Sequence, residues 1–207
     1  SLIVTGVQTC ALPIWCKRIV KIKKQIVLAA VLCMAVPTVA SGCANSAKSG
    51  VEALEAGDYK EAQAQFEKLT EEKDKKKSAE GYRGLAMTYY EQEEYSSALD
   101  AFKKAVDTGV VQTTQIYNLM GICAMKTEDY EAALEYIQAG LAMAETDMSG
   151  EEEKNSENGK DSAEMIQEMR YNEVVCYEKL ADWENAKQKA SEYLIEYPED
   201  TAMEREA

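Results

Sequence analysis

The chain has 207 residues, of which 29% are charged, with 23 Lys and Arg against 37 Asp and Glu and no histidine. The missing histidine removes the commonest general base, the commonest metal ligand and every Ser-His or Cys-His nucleophile pair. The excess of acid argues against a phosphate-backbone partner, which needs clustered basic side chains, and otherwise serves solubility.

Residues 1–16 do not fit the start of a folded protein. There is no initiator Met, the first methionine being Met34. The run from Val4 to Ile14 looks like the translation of a short-read sequencing adapter, so 1–16 is set aside as a sequence artefact, with the reading frame expected to begin upstream of Lys17 in a truncated form. Residues 17–42 read as a signal peptide in three parts. Lys17, Arg18, Lys21, Lys23 and Lys24 form the charged part, and no acid precedes Cys43. Ile26 to Ala40 is apolar, interrupted by Pro37, and short of the roughly 20 residues of a spanning helix. Ala40, Ser41 and Gly42 then lead to Cys43. This end resembles a bacterial lipobox, with Ala40 where leucine is usual. The resemblance implies that Cys43 is lipidated, becomes the new N-terminus and holds an extracytoplasmic protein to the membrane of a bacterial cell envelope; two acyl chains suffice for stable anchoring. Ala44 to Gly50 read as a short tether.

From here on the chain repeats itself. Gly57-Asp58-Tyr59-Lys60-Glu61-Ala62, Glu93-Glu94-Tyr95-Ser96-Ser97-Ala98, Glu128-Asp129-Tyr130-Glu131-Ala132-Ala133 and Ala181-Asp182-Trp183-Glu184-Asn185-Ala186 each give a polar turn, an aromatic residue and an alanine three positions later. The aromatics are spaced by 36, 35 and 53 residues, the last being one period plus an insertion. A period in the mid-thirties predicts stacked helix pairs. Asp58 with Glu61 reads as a helix N-cap, Gly57 as the left-handed end of the helix before it, Asp161 with Glu164 as the start of the first helix of the fourth unit, and Pro198 as a helix stop. Ala86 and Gly121 on first helices, and Ala62, Ala98, Ala133 and Ala186 on second helices, are small where two helices cross closely. Tyr59, Tyr95, Tyr130 and Trp183 are expected to fill the wedge between neighbours.

The flanks extend the pattern: Tyr82, Leu85, Ala86, Tyr89, Ala98, Phe102 and Ala105 in one unit, and Tyr117, Met120, Gly121, Ala124, Ala133, Ile137 and Gly140 in the next. This resembles the tetratricopeptide repeat. The resemblance implies an all-α fold, a right-handed superhelical solenoid of about four helix-turn-helix repeats at 43–76, 79–112, 114–145 and 161–200. An acidic flexible insertion at 146–160 separates the last two, and 201–207 reads as the start of a further or capping helix that continues beyond.

Little in the chain suggests chemistry. There is no phosphate loop or dinucleotide fingerprint, no cofactor is expected, and the acidic insertion does not match the ligand spacing of a calcium loop, so no metal is assigned. Cys123 and Cys176 occupy equivalent places, ten residues before the second-helix alanine. They read either as small apolar residues in matching core slots or as a disulfide between adjacent first helices, the first being favoured by the spacing of packed helices.

The resemblance also places a partner-binding groove on the first helices. It would be lined by Arg83, Met87, Tyr90 and Glu91 in the second repeat, Asn118, Ile122, Met125 and Lys126 in the third, and Tyr171, Val175, Glu178 and Lys179 in the fourth. Such a Met- and Tyr-bearing strip suits an extended peptide or a partner helix. The family's carboxylate clamp has asparagine four residues after its groove lysine; here those positions are Met87 and Ile122, and only Arg83 with Asn118 is left to hold an acidic group. The expected function is an envelope-anchored protein-protein interaction scaffold or assembly factor, not an enzyme, with a protein or peptide partner, membrane contact through the lipid anchor alone, no nucleic acid and no small-molecule cofactor. The alternative is an accessory subunit or ligand-capturing lipoprotein that serves an envelope enzyme or transporter.

Overall fold

The computed structural model describes residues 43–147, 157–200 and 203. The segments read above as a sequence artefact and as a signal peptide, most of the acidic insertion and most of 201–207 lie outside the described residues.

Eight helices are described: α1 (Cys43–Glu55), α2 (Tyr59–Thr70), α3 (Lys75–Glu91), α4 (Tyr95–Asp107), α5 (Thr114–Lys126), α6 (Tyr130–Asp147), α7 (Glu157–Lys179) and α8 (Trp183–Glu196). Each packs against its neighbours in the chain, and the first helices of successive pairs also meet, α1 with α3 and α5 with α7. The result is an all-α solenoid of four helix pairs. No described helix is long and apolar enough to cross a membrane.

The repeating core follows the sequence period. Ala62, Ala98 and Ala133 are wholly buried and Ala186 nearly so, at the crossings of the pairs. Four residues later come Phe66, Phe102, Ile137 and Ala190, all at 1% exposure or less. Burying a Phe or Ile contributes about 1.5–3 kcal/mol each. The facing positions on the first helices are small for a steric reason. A Cβ on Gly121 would stand 2.8 Å from the Ile137 side chain, and one on Gly50 2.8 Å from the Phe66 ring. Gly84 lies against the same ring so closely that a Cβ would overlap Phe66 Cδ1. Phe66 thus fits a socket made by glycines of two successive first helices.

The four turns inside the pairs are copies of one motif. Gly57, Glu93, Glu128 and Ala181 all have left-handed backbones, with φ of 76°, 62°, 62° and 56°. In each, the next residue donates its N–H back across the turn: Asp58 to the Ala53 carbonyl, Glu94 to Tyr89, Asp129 to Ala124 and Asp182 to Tyr177, all at 2.9 Å. These bonds satisfy carbonyls that the helix end leaves open. Asp58, Asp129 and Asp182 then cap the second helices through their side chains, accepting from Glu61, Ala132 and Asn185 N–H groups at 3.2, 3.1 and 3.3 Å. Glu94, one methylene longer, makes no such bond.

Three expectations change. Residues 44–50 are not a tether: α1 begins at Cys43, because Ala47 and Val51 join the core and Gly50 makes room for Phe66. Asp161 does not start the first helix of the fourth pair; α7 begins at Glu157, and α6 runs on to Asp147, so both ends of the insertion are helical. Trp183 does not fill a wedge but is 66% exposed. In the fourth pair Ala190 stands where the others have Phe66, Phe102 and Ile137, and Tyr193 is buried beside it in a smaller cluster with Val174 and Met203. Its hydroxyl donates to Asp200 Oδ2 at 2.7 Å and accepts from Gln167 Nε2 at 2.9 Å, so the polar tip is not stranded. Pro198 follows α8 by two residues, as expected.

Candidate partner-binding face

All twelve residues expected to line the face lie on first helices: Arg83, Met87, Tyr90 and Glu91 on α3, Asn118, Ile122, Met125 and Lys126 on α5, Tyr171, Val175, Glu178 and Lys179 on α7. They are not equally accessible. Met87, Val175 and Asn118 are buried, Met87 within the main core, Lys126 and Lys179 are exposed, and the other seven are half-buried. Tyr90, Ile122 and Met125 are therefore the apolar part of the face that a partner can reach. Tyr171 leans toward α8 instead, its ring edge-on to Tyr193 with centroids 6.0 Å apart.

At the C-terminal end of α3, the Tyr90 ring meets Tyr95 edge-to-face, with centroids 5.7 Å apart at 81°. Lys126, at the end of α5, places its ammonium 5.9 Å from the centre of the Tyr95 ring, a cation-π arrangement. The Tyr90 phenol is pushed well above its ordinary value, first by burial and then by the nearby Cys123, Tyr95, Glu168 and Glu91. It stays protonated at every physiological pH.

Glu168 was not among the expected residues. It lies three positions before Tyr171, one turn toward the N-terminus of α7 on the same side of the helix, and is half-buried. Extending the face by that turn would have found it. Desolvation raises its carboxyl above the ordinary range, and a hydrogen bond from the Asn118 side chain lowers it. The only donor in an asparagine side chain is its amide nitrogen. The other end of the amide, Asn118 Oδ1, is buried and has no hydrogen-bond partner among the described residues.

A second acid on α7, Glu173, is buried and behaves differently. It accepts from Gln138 Nε2 at 3.1 Å and pairs with Lys189 Nζ at 3.6 Å, tying α6, α7 and α8 together. Cys123 and Cys176 are both free thiols, fully buried, and burial pushes each up to about 12. That agrees with matching core slots.

The sequence pattern of the tetratricopeptide repeat family matches residues 48–110, from within α1 to just past α4. Residues 48–110 carry tetratricopeptide repeats. Among solved structures it is similar to YrrB, described as a TPR protein with an unusual peptide-binding site, at 19% identity over 77% of this chain and 89% of that one, with a TM-score of 0.46. It is also similar to the MamA protein, at 17% identity over 73% and 90%, TM-score 0.46, and to the APC/C hetero-tetramer Cut9–Hcn1, at 16% identity over 86% of this chain and 37% of that one, TM-score 0.45. No curated protein matches the chain by sequence.

Arg83 and Asn118 lie on successive first helices, Arg83 half-buried and Asn118 buried. The nearby Glu168 carboxylate would oppose an acidic group at Asn118. An open cleft of about 340 Å³ lies elsewhere, lined by Lys73, Lys75, Ser78, Tyr82, Lys104 and Asp107 among others. The N-terminus of α3 beside it is closed by Asp74, which accepts from the Lys76 and Lys77 N–H groups at 2.8 and 3.3 Å. No cluster of potential metal ligands occurs among the described residues.

Proposed function

We propose that this chain is a lipid-anchored scaffold or assembly factor of a bacterial cell envelope, holding a protein partner along the first-helix face of its tetratricopeptide repeats. The observation that carries the reading is the reachable strip of Tyr90, Ile122 and Met125 across two successive repeats. It adjoins a buried amide and a desolvated carboxylate that the repeat core does not require. Apolar anchors next to a few fixed polar groups suit a peptide or a partner helix, whose side chains enter pockets while its polar groups find partners. Cys43 and the small residues before it support the anchor. No catalytic step is assigned, since the chain lacks histidine and the face holds no nucleophile beside a base.

Crosslinking and pull-down from cells that express the protein natively test the reading. The double substitution Tyr90→Ala with Met125→Ala is expected to lose the captured protein while keeping the helical circular dichroism of the parent. Equal recovery by both sinks the face. A retained glycan or other small ligand in place of a protein favours the accessory, ligand-capturing role. For the anchor, Cys43→Ala is expected to abolish metabolic labelling with a fatty acid, and unchanged labelling refutes it.

A further inference from the structure

We propose that the lysine-lined cleft beside α3 and α4 takes phosphate headgroups of the membrane that holds Cys43, and so fixes how the repeats stand on that membrane. The proposal rests on the anchor reading and departs from the expectation that the anchor is the sole membrane contact.

The topology puts the cleft at the anchored end. α2 runs back alongside α1, with Gly50 set against the Phe66 ring. The start of α1 at Cys43 therefore comes level with the end of α2 at Thr70 and with the loop after it. That loop and the first turn of α3 carry Lys73, Lys75, Lys76 and Lys77. Lys104, near the end of α4, reaches the same place: its ammonium lies 5.9 Å from the centre of the Tyr82 ring of α3. The turns inside the pairs lie at the opposite end, where they carry Asp58, Glu93, Glu94, Glu128 and Asp129. An acidic chain thus keeps a basic place beside its anchor and acidic tips away from it.

The cleft is open, with a volume of about 340 Å³, and Lys73, Lys75, Lys104, Ser78, Tyr82 and Thr108 line it together with two acids, Glu72 and Asp107. None of the three ammoniums makes an ion pair among the described residues. The Ser78 and Thr108 hydroxyls already donate to the Thr70 and Ala105 carbonyls, at 3.2 and 2.7 Å. The donors left for a ligand are the ammoniums and the Tyr82 phenol, a set that asks for a ligand rich in acceptors and negatively charged. A phosphate diester is one. A cation meets three ammoniums instead, and a long polyanion such as nucleic acid runs onto the acidic remainder of the surface. Headgroup phosphates lie in one plane at the level of the anchor, where the cleft opens. Two acyl chains suffice to hold the protein but leave it free to turn; a lysine cluster beside them, attracted to an anionic surface, removes that freedom.

The test uses the full protein as processed by its cells, reconstituted into vesicles of phosphatidylcholine alone or mixed with phosphatidylglycerol. Amines are acylated with a membrane-impermeant reagent and read residue by residue by mass spectrometry. Phosphatidylglycerol should lower the labelling of Lys73, Lys75 and Lys104 about fivefold each, and high salt should erase the difference. Lys60 and Lys179, exposed and close to the turns of the opposite end, should label equally in both kinds of vesicle. Equal labelling of the cleft lysines in both overturns the proposal and leaves the anchor standing. Protection that extends to Lys60 and Lys179 overturns the fixed orientation. Inorganic phosphate added to the phosphatidylcholine vesicles is the third arm; protection equal to that from phosphatidylglycerol overturns the headgroup and assigns the cleft to a soluble anion. Protein that stays with neither kind of vesicle overturns the anchor and the proposal with it.

Discussion

Replacing Ala181 by glycine should make the protein more stable, although it removes a methyl group and loosens the unfolded chain. Ala181 holds φ at 56°, where a Cβ crowds the following carbonyl at about 1–2 kcal/mol. Glycine relieves that strain, while its extra freedom when unfolded returns about 0.4–1 kcal/mol. The net expectation is a gain of about 0.5–1 kcal/mol. Nothing else in the turn should change, because Ala181 is exposed and its motif is built from main-chain bonds, Ala181 N–H to the Glu178 carbonyl at 3.0 Å and Asp182 N–H to Tyr177 at 2.9 Å. Glu93 and Glu128 are the same position in other repeats, and their glycine substitutions also remove a negative charge from a helix C-terminus, which adds a few tenths of a kcal/mol. The three turns are separate, so the triple variant should gain about 1.5–3 kcal/mol, or several degrees in Tm. Gly57 is the reverse control: it has φ of 76°, and a Cβ at this position would have nothing within 4 Å, so Gly57→Ala carries the conformational penalty alone. Urea denaturation followed by circular dichroism reads both. A lowered midpoint for Ala181→Gly together with no loss for Gly57→Ala would refute the conformational account of these turns.

Gly84→Ala is expected to lower the urea midpoint by about 1–3 kcal/mol, the usual cost of overpacking, because its Cβ enters the space of the Phe66 ring; an unchanged midpoint would show that the socket is looser than this contact implies. Glu94→Asp should add the cap bond that Asp58, Asp129 and Asp182 already make and raise stability by about 0.5–1 kcal/mol, with no gain counting against the comparison of the four turns. Glu168→Gln should stabilise the protein at neutral pH. The sign follows from desolvation, which raises the folded carboxyl above its ordinary value: wild-type stability falls as pH rises from about 4.5 through the raised value, and glutamine does not titrate. The variant's advantage should therefore vanish in acid and appear as pH rises, and a difference independent of pH would mean that Glu168 is not desolvated.

The period and the small residues at the crossings were legible in the sequence, because each is a local choice forced by a contact that recurs every repeat. The turns were legible in part. Gly57 announced its left-handed backbone, but Glu93, Glu128 and Ala181 adopt the same conformation without glycine, held by the bonds across the turn. Helix starts were harder to read. Ser46, Ser49 and Asn45 looked like a tether, yet tertiary packing of Ala47, Gly50 and Val51 draws the segment into α1. Glu168 was missed because a repeat pattern records what packing keeps constant, and residues that meet a partner are the ones free to vary. Its position is periodic; its chemistry is not.

The two acids Glu168 and Glu173 of α7 separate scaffolding from recognition more sharply than burial or position does. Glu173 occupies a place where the repeat favours leucine, and the protein closes a polar network around it: Gln138 from one side, Lys189 from the other, with Gln138 also donating to the Tyr177 hydroxyl at 3.0 Å. A buried charge left unpaired is strongly destabilising, and here each partner comes from a different helix, so the network locks α6, α7 and α8 in one arrangement. Glu168, half-buried on the same helix, makes no ion pair among the described residues, and burial raises its carboxyl above the ordinary range. The cost of holding a charge is thus offset at one acid by a closed network and left standing at the other, on the side where Tyr90, Ile122 and Met125 are half-buried.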